Sequence, residues 1–179
     1  VNCASDLWRA VMEAVERLPE IVSEPDGGKT YGELWPEDVC ILSDILEKAL
    51  QMSASSFYDH VAIECIGGGW TGHEALAIAI YSAVKHFDSF EDAIISSVNH
   101  SGDSDSTGAI CGNIMGAIHG RGAIPEHYTN DLELIDVIEE IAEDLYTGCI
   151  VSEDGKNDKK EELRWIEKYC NYRRVIKNS

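Results

Sequence analysis

Apolar residues recur three and four positions apart along most of this 179-residue chain, and strict apolar–polar alternation is scarce. That period puts one apolar stripe on each of a series of helices and leaves little material for a sheet. Leu7, Trp8, Val11, Ala14, Val15 and Leu18 share one face of a first helix, which Ser5 and Asp6 can cap and which Pro19 follows. Glu24 to Thr30 reads as a loop by composition. Trp35-Pro36-Glu37-Asp38 starts a second helix carrying Val39, Leu42, Ile45, Leu46, Ala49 and Leu50.

After the serine-rich break at Ser53 to Ser56, Val61 to Ile66 is the one stretch that also fits a short strand. Gly67-Gly68-Gly69 is a stop or tight turn, and Thr71 can cap a helix to about His86. Ser89-Phe90-Glu91-Asp92 resembles a capping box for a short helix to about Val98. Further helices are predicted from about Thr107 to His119 and from Asn130 to about Tyr146. A charged connector over Ser152 to Lys160 leads to a last helix with Leu163, Ile166 and Tyr169. The predicted fold class is all-α, a compact orthogonal helical bundle.

Composition narrows the function. With 44% hydrophobic residues, the chain is the size of one domain and can bury a core. Its 33 acidic residues against 14 basic ones give a net charge of −19. Such a surface argues against nucleic-acid binding and against anionic membranes, and it favours cations. Arg173-Arg174 is too small a basic patch to reverse that. Cys3, Cys40, Cys65, Cys111, Cys149 and Cys170 show no zinc-type spacing. Most have apolar neighbours and read as reduced core thiols of a cytoplasmic protein. No signal peptide and no run of membrane-spanning length is visible.

The densest chemistry lies in Asp103-Ser104-Asp105-Ser106-Thr107, a glycine-flanked turn ahead of a helix carrying Gly108, Gly112 and Gly116. Two carboxylates and neighbouring hydroxyls are hard donors suited to Mg²⁺ or Ca²⁺. An EF-hand loop is disfavoured because its twelfth position falls on Ile114. A phosphotransferase nucleophile of the haloacid-dehalogenase type lacks its preceding buried strand. Two readings remain: a divalent-metal site with Asp103, Asp105 and the Ser106 hydroxyl as ligands, or an acidic helix cap without metal. Two divalent ions carry +4 against the −2 of this turn, so a binuclear site needs further carboxylates. Close helix packing explains Gly112 and Gly116, whereas Gly108 can face an anionic ligand.

Three stretches carry a family resemblance: Ile66-Gly67-Gly68-Gly69-Trp70-Thr71-Gly72-His73-Glu74-Ala75-Leu76-Ala77, the segment Val98 to Ile110 around the aspartates, and Gly112-Asn113-Ile114-Met115-Gly116-Ala117 with Ile124-Pro125. Together they resemble the C-terminal half of the ADP-ribosylglycohydrolase family, which includes the dinitrogenase-reductase-activating glycohydrolases. The clear resemblance covers about 61–145. Residues 1–179 then read as the C-terminal part of a single all-α domain, with 149–179 as charged connector and terminal helix.

The resemblance implies a hydrolase that cleaves the bond between ADP-ribose and a protein side chain or small acceptor. It implies two Mg²⁺ or Mn²⁺ ions in the complete protein, with Asp103, Asp105 and Ser106 among the ligands. Gly67, Gly68, Gly69 and Trp70 would border the substrate, and His100 and Thr107 would support the ligands from behind. The family's early Thr/Ser-Asp-Asp-Thr motif and its middle Gly-Asn-Gly segment are missing from this sequence. The chain also opens Val1-Asn2-Cys3 without an initiator Met. The expectation is therefore a fragment, inactive alone and able to self-associate through an uncovered apolar face. The alternative is a non-catalytic family member that binds ADP-ribose or plays a structural part.

Overall fold

The computed structural model describes residues 1–21 and 29–147, together with Leu163, Glu167 and Lys168. The chain divides into two units, Val1–Tyr128 and Thr129–Ser179. In the first lie α1 (Ala4–Arg17), α2 (Tyr31–Leu34), α3 (Pro36–Ser53), α4 (Asp59–Ile66), α5 (Gly72–Lys85), α6 (Phe90–Val98) and α7 (Ser104–His119). The second holds α8 (Ile135–Thr147). No strand occurs among the described residues, and the protein is all-α. No described helix is long and apolar enough to cross a membrane.

Helix α5 is the core. It buries Ala75 and every residue from Ala77 to Val84, so it meets neighbours all round. Its alanines keep it thin enough for α3 on one flank and α7 on another, with α6 packed on both α5 and α7. Leu50, Ile63, Ile78, Tyr81, Cys111 and Met115 complete the interior with almost no exposure. Helix α1 contributes Leu7, Val11 and Val15, four residues apart and hence on one face.

Several predicted boundaries move. Val61 to Ile66 is helical, as the last six residues of α4. Its buried Ala62, Ile63 and Ile66 follow helical spacing, and a short apolar run does not by itself separate strand from helix. Helix α1 starts after Cys3, so Ser5 and Asp6 fall in its first turn rather than at its cap; the Asp6 carboxylate accepts the Asn2 N–H at 3.0 Å. Trp8, one position past Leu7, rotates off the buried face and is 42% exposed. Helix α2 has a capping box that lay at the edge of the predicted loop: Thr30 N–H donates to Glu33 at 2.8 Å, and Glu33 N–H donates to the Thr30 hydroxyl at 3.3 Å.

Ser89 caps α6 as its spacing predicts, accepting the Asp92 N–H at 3.1 Å. Helix α8 starts at Ile135 rather than Asn130, after Leu134 with φ of 61°. In the second unit Lys168 pairs with Glu140 at 2.7 Å and with Asp144. The Ser152 to Lys160 connector, Ile166, Tyr169, Cys149, Cys170 and the loop from Glu24 to Gly28 lie outside the described residues.

The cysteine reading needs correction. Cys3, Cys40 and Cys65 are exposed free thiols, and of the described cysteines only Cys111 is a core thiol. Burial pushes the Cys111 thiol up to about 11, and its Sγ faces the Ala93 carbonyl at 3.6 Å. At pH 8 only about a thousandth of such a thiol is thiolate. Iodoacetamide under native conditions is therefore expected to label Cys3, Cys40 and Cys65 and to spare Cys111 until denaturant is added. Peptide mapping by mass spectrometry checks this, and early labelling of Cys111 would contradict the packing described.

Candidate functional site

Two loops at one end of α5 and α7 meet backbone to backbone. The first, Gly67 to Thr71, links α4 to α5; the second, Asn99 to Asp103, links α6 to α7. The Asp103 N–H donates to the Gly68 carbonyl at 2.8 Å. Gly102 makes that approach possible, since a Cβ there would fall 1.7 Å from the Gly68 oxygen. Gly69 turns the first loop at φ 75°, in the left-handed region that glycine enters freely.

Buried Thr107 anchors the second loop from below. Its hydroxyl donates to the Ser97 carbonyl at 2.6 Å and receives His100 Nε2–H at 3.0 Å. His100 Nδ1 accepts the Gly102 N–H at 3.1 Å, which assigns the ring proton to Nε2. Of the two roles open to His100, a bond to a ligand carboxylate or a loop role, the structure shows the loop role: its two ring nitrogens are taken by Thr107 and Gly102. Both residues hold the loop that carries Asp103.

Asp103 is the N-cap residue of α7, yet its side chain makes no capping bond. The helix starts at Ser104 rather than near Thr107, so Asp105 and Ser106 lie in its first turn, where the positive end of the helix favours acidic groups. Asp105 accepts the Ser106 N–H at 3.0 Å. The neighbouring Asp103 side chain, and then that N–H, hold the Asp105 carboxyl below the ordinary carboxylate range. Among the described residues no further His, Cys, Asp or Glu joins them to complete a metal-binding group.

The first loop brings Trp70 to the same place. Its indole edge covers Gly68, where a Cβ would come within 2.6 Å of Trp70 Cδ1, and the residue is 73% exposed. The ring is on the surface and not in the core. Glu74, in the first turn of α5, reaches back to accept the Trp70 N–H at 3.1 Å. Sequence spacing alone left that role unseen, although a carboxylate four residues after a loop N–H at a helix start is its signal.

The glycine stripe of α7 works in the opposite order to the prediction. A Cβ at Gly108 would lie 2.7 Å from Val98 Cγ1, so α6 closes on α7 there. At Gly112 the contact would be an ordinary 3.7 Å, and at Gly116 nothing lies within 4 Å. A second polar cluster had no sequence signal at all. Asp59 accepts the Tyr81 hydroxyl at 2.8 Å and pairs with His86 Nε2 at 2.8 Å, across 22 and 27 residues.

An all-α protein with an uncapped aspartate pair at a helix start, framed by a triple-glycine loop, is thus defined by its geometry. Comparison with known proteins supplies the family. The ADP-ribosylglycohydrolase family profile matches residues 2–155, and the chain belongs to that family. It is 34% identical over 138 residues to the ADP-ribosylhydrolase ARH1 of Dictyostelium discoideum, covering 77% of this chain and 33% of that protein. An uncharacterised protein of Archaeoglobus fulgidus is 40% identical over 86 residues, covering 48% of this chain and 27% of the relative. The ADP-ribosylarginine hydrolase Tri1 of Serratia proteamaculans is 38% identical over 64 residues, 36% of this chain and 18% of its own. The chain spans about a third of the Dictyostelium relative's length. No solved structure matches the chain.

Proposed function

We propose that this chain is part of an enzyme that hydrolyses ADP-ribose linkages, and that Asp103, Asp105 and Ser106 bind a divalent cation, Mg²⁺ or Mn²⁺. The observation that carries the reading is the Asp103 carboxylate, which stands at a helix N-cap without capping it, two residues before the first-turn Asp105. Two carboxylates and a hydroxyl are hard oxygen donors, the chemistry those ions select. When bound, such a cation orients sugar hydroxyls and lowers the pKa of a water beside the anomeric carbon.

The protein's own groups prepare that site. His100 and Thr107 hold the Asp103 loop, and the Gly68 carbonyl fixes the Asp103 amide. Exposed Trp70 offers a flat apolar face to the base of the nucleotide. With no further carboxylate beside these two among the described residues, the remaining ligands of a binuclear site would come from another part of the complete protein. We therefore expect this chain alone to bind cation weakly and to release little ADP-ribose. We assign it to the cytoplasm, which suits the free thiols.

Calorimetric titration with Mn²⁺ tests the site. Asp103→Asn is expected to weaken binding by about tenfold or more, with the melting temperature little changed because Asp103 caps nothing. Unaltered Mn²⁺ affinity would remove the metal reading. Hydrolysis is tested by ADP-ribose release from ADP-ribosylated arginine, the acceptor in the Serratia relative's name. The lack of a further carboxylate beside Asp103 and Asp105 among the described residues also favours a second reading, a family member that binds ADP-ribose without cleaving it. Tight ADP-ribose binding by the complete protein without any turnover would establish that alternative.

A further inference from the structure

We propose that Glu74 is a positioning residue for the cation site, acting through the Gly67–Trp70 loop rather than by touching cation or substrate. The inference rests on the reading of Asp103 and Asp105 as ligands. Glu74 sits inside the curve of the loop. Its Oε2 accepts the Trp70 N–H at 3.1 Å, and its side chain fills the space beside Gly67, where a Cβ would come within 2.7 Å of Glu74 Cδ. Both ends of the loop are therefore referred to one carboxylate.

Between those ends, the Gly68 carbonyl accepts the Asp103 N–H at 2.8 Å. The Asp103 side chain makes no capping bond, so capping does not fix its aim. Its position is inherited from its backbone, and that backbone is tied to Gly68. Withdrawing the Glu74 acceptor frees the Trp70 amide and loosens the Gly68 carbonyl. The slack passes to Asp103. A plain helix-terminus carboxylate would behave differently: it would act by charge alone and leave the Asp103 amide untouched.

Three variants separate the two roles. Glu74→Gln keeps length and acceptor but loses charge. Glu74→Asp keeps charge but falls a methylene short of the Trp70 N–H. Glu74→Leu keeps bulk and loses the acceptor. The readouts are amide hydrogen exchange at Asp103, followed by NMR without metal, and Mn²⁺ affinity by calorimetry.

Glu74→Gln is expected to stay within about twofold of the parent in both, and the other two variants to lose about tenfold in both. Glu74→Asp keeps the test open if Glu74→Leu fails to fold. Parent-like Asp103 protection in Glu74→Asp would overturn the proposal, as would equal loss in Glu74→Gln. The metal-free exchange arm stands apart from the cation reading. If Asp103→Asn leaves Mn²⁺ affinity unchanged, the cation site falls, and with it the assignment of Glu74 to that site, whatever the exchange shows about the loop.

Discussion

Replacing Gly102 by alanine is expected to break the junction between the two loops. The added Cβ would sit 1.7 Å from the Gly68 oxygen, 2.6 Å from its carbonyl carbon and 2.9 Å from its Cα. All three are backbone atoms, so no side chain can swing aside to make room. The loops must part, and the Asp103 N–H to Gly68 bond goes with them. We expect a stability loss of about 2–4 kcal/mol in urea denaturation with an unchanged m-value. Mn²⁺ affinity should fall by about tenfold or more.

Gly116→Ala provides the opposite control. A methyl there meets nothing within 4 Å, in the interior of α7. It should stabilise the protein by about 0.5–1 kcal/mol, the ordinary helix preference of alanine over glycine. If both alanine variants behave alike, the close approach at Gly102 is not what holds the loops together.

The second large effect is expected at Asp59, far from the loops in chemistry and central to the packing of α4 on α5. Tyr81 is fully buried and donates its hydroxyl to Asp59 at 2.8 Å. Lys85 stands 3.8 Å from the same carboxylate oxygen and donates to the Ser55 and Phe57 carbonyls at 3.2 and 2.9 Å. Asp59→Ala leaves the Tyr81 hydroxyl without that acceptor, a loss of about 1.5–3 kcal/mol for a part-buried bond to a charged group.

The acid dependence of this cluster follows from Asp59. Burial pushes its carboxyl up, but hydrogen bonds from Tyr81 and His86 and the His86 charge outweigh it, and the group lies below its ordinary value. A depressed native pKa means the contribution is complete above the unfolded value of about 4 and is lost as pH falls through the native one. Urea denaturation at pH 7 and pH 3 should therefore show the gap between parent and Asp59→Ala narrowing at the acid end. A gap independent of pH would mean the carboxylate charge is not what Tyr81 and His86 engage.

Much of the helical plan was legible in the chain because it depends on near neighbours. Ser89 and Asp92 lie three apart and form a cap. The apolar residues of α5 are continuous enough to demand burial on every side. Pro36 and the acids after it open α3. The failures have a common cause as well. Ala62, Ile63 and Ile66 form a run too short to reveal its period, and Cys40 and Cys65 have apolar neighbours in sequence but lie on the surface. Local composition does not say which side of a helix meets the core.

Spacing along the chain was enough to show most of the helices, to bring donors together at Asp103, Asp105 and Ser106, and to give those donors the chemistry of hard oxygen. These properties depend on spacings of one to four residues, which the chain carries wherever it goes. Tertiary structure alone decided that the Gly68 carbonyl would meet the Asp103 amide, that Gly108 rather than Gly116 would be the tight spot, and that Tyr81 would find Asp59. Those pairings lie between segments distant in sequence, and the burial of α5 among its neighbours is what brings them within hydrogen-bonding reach.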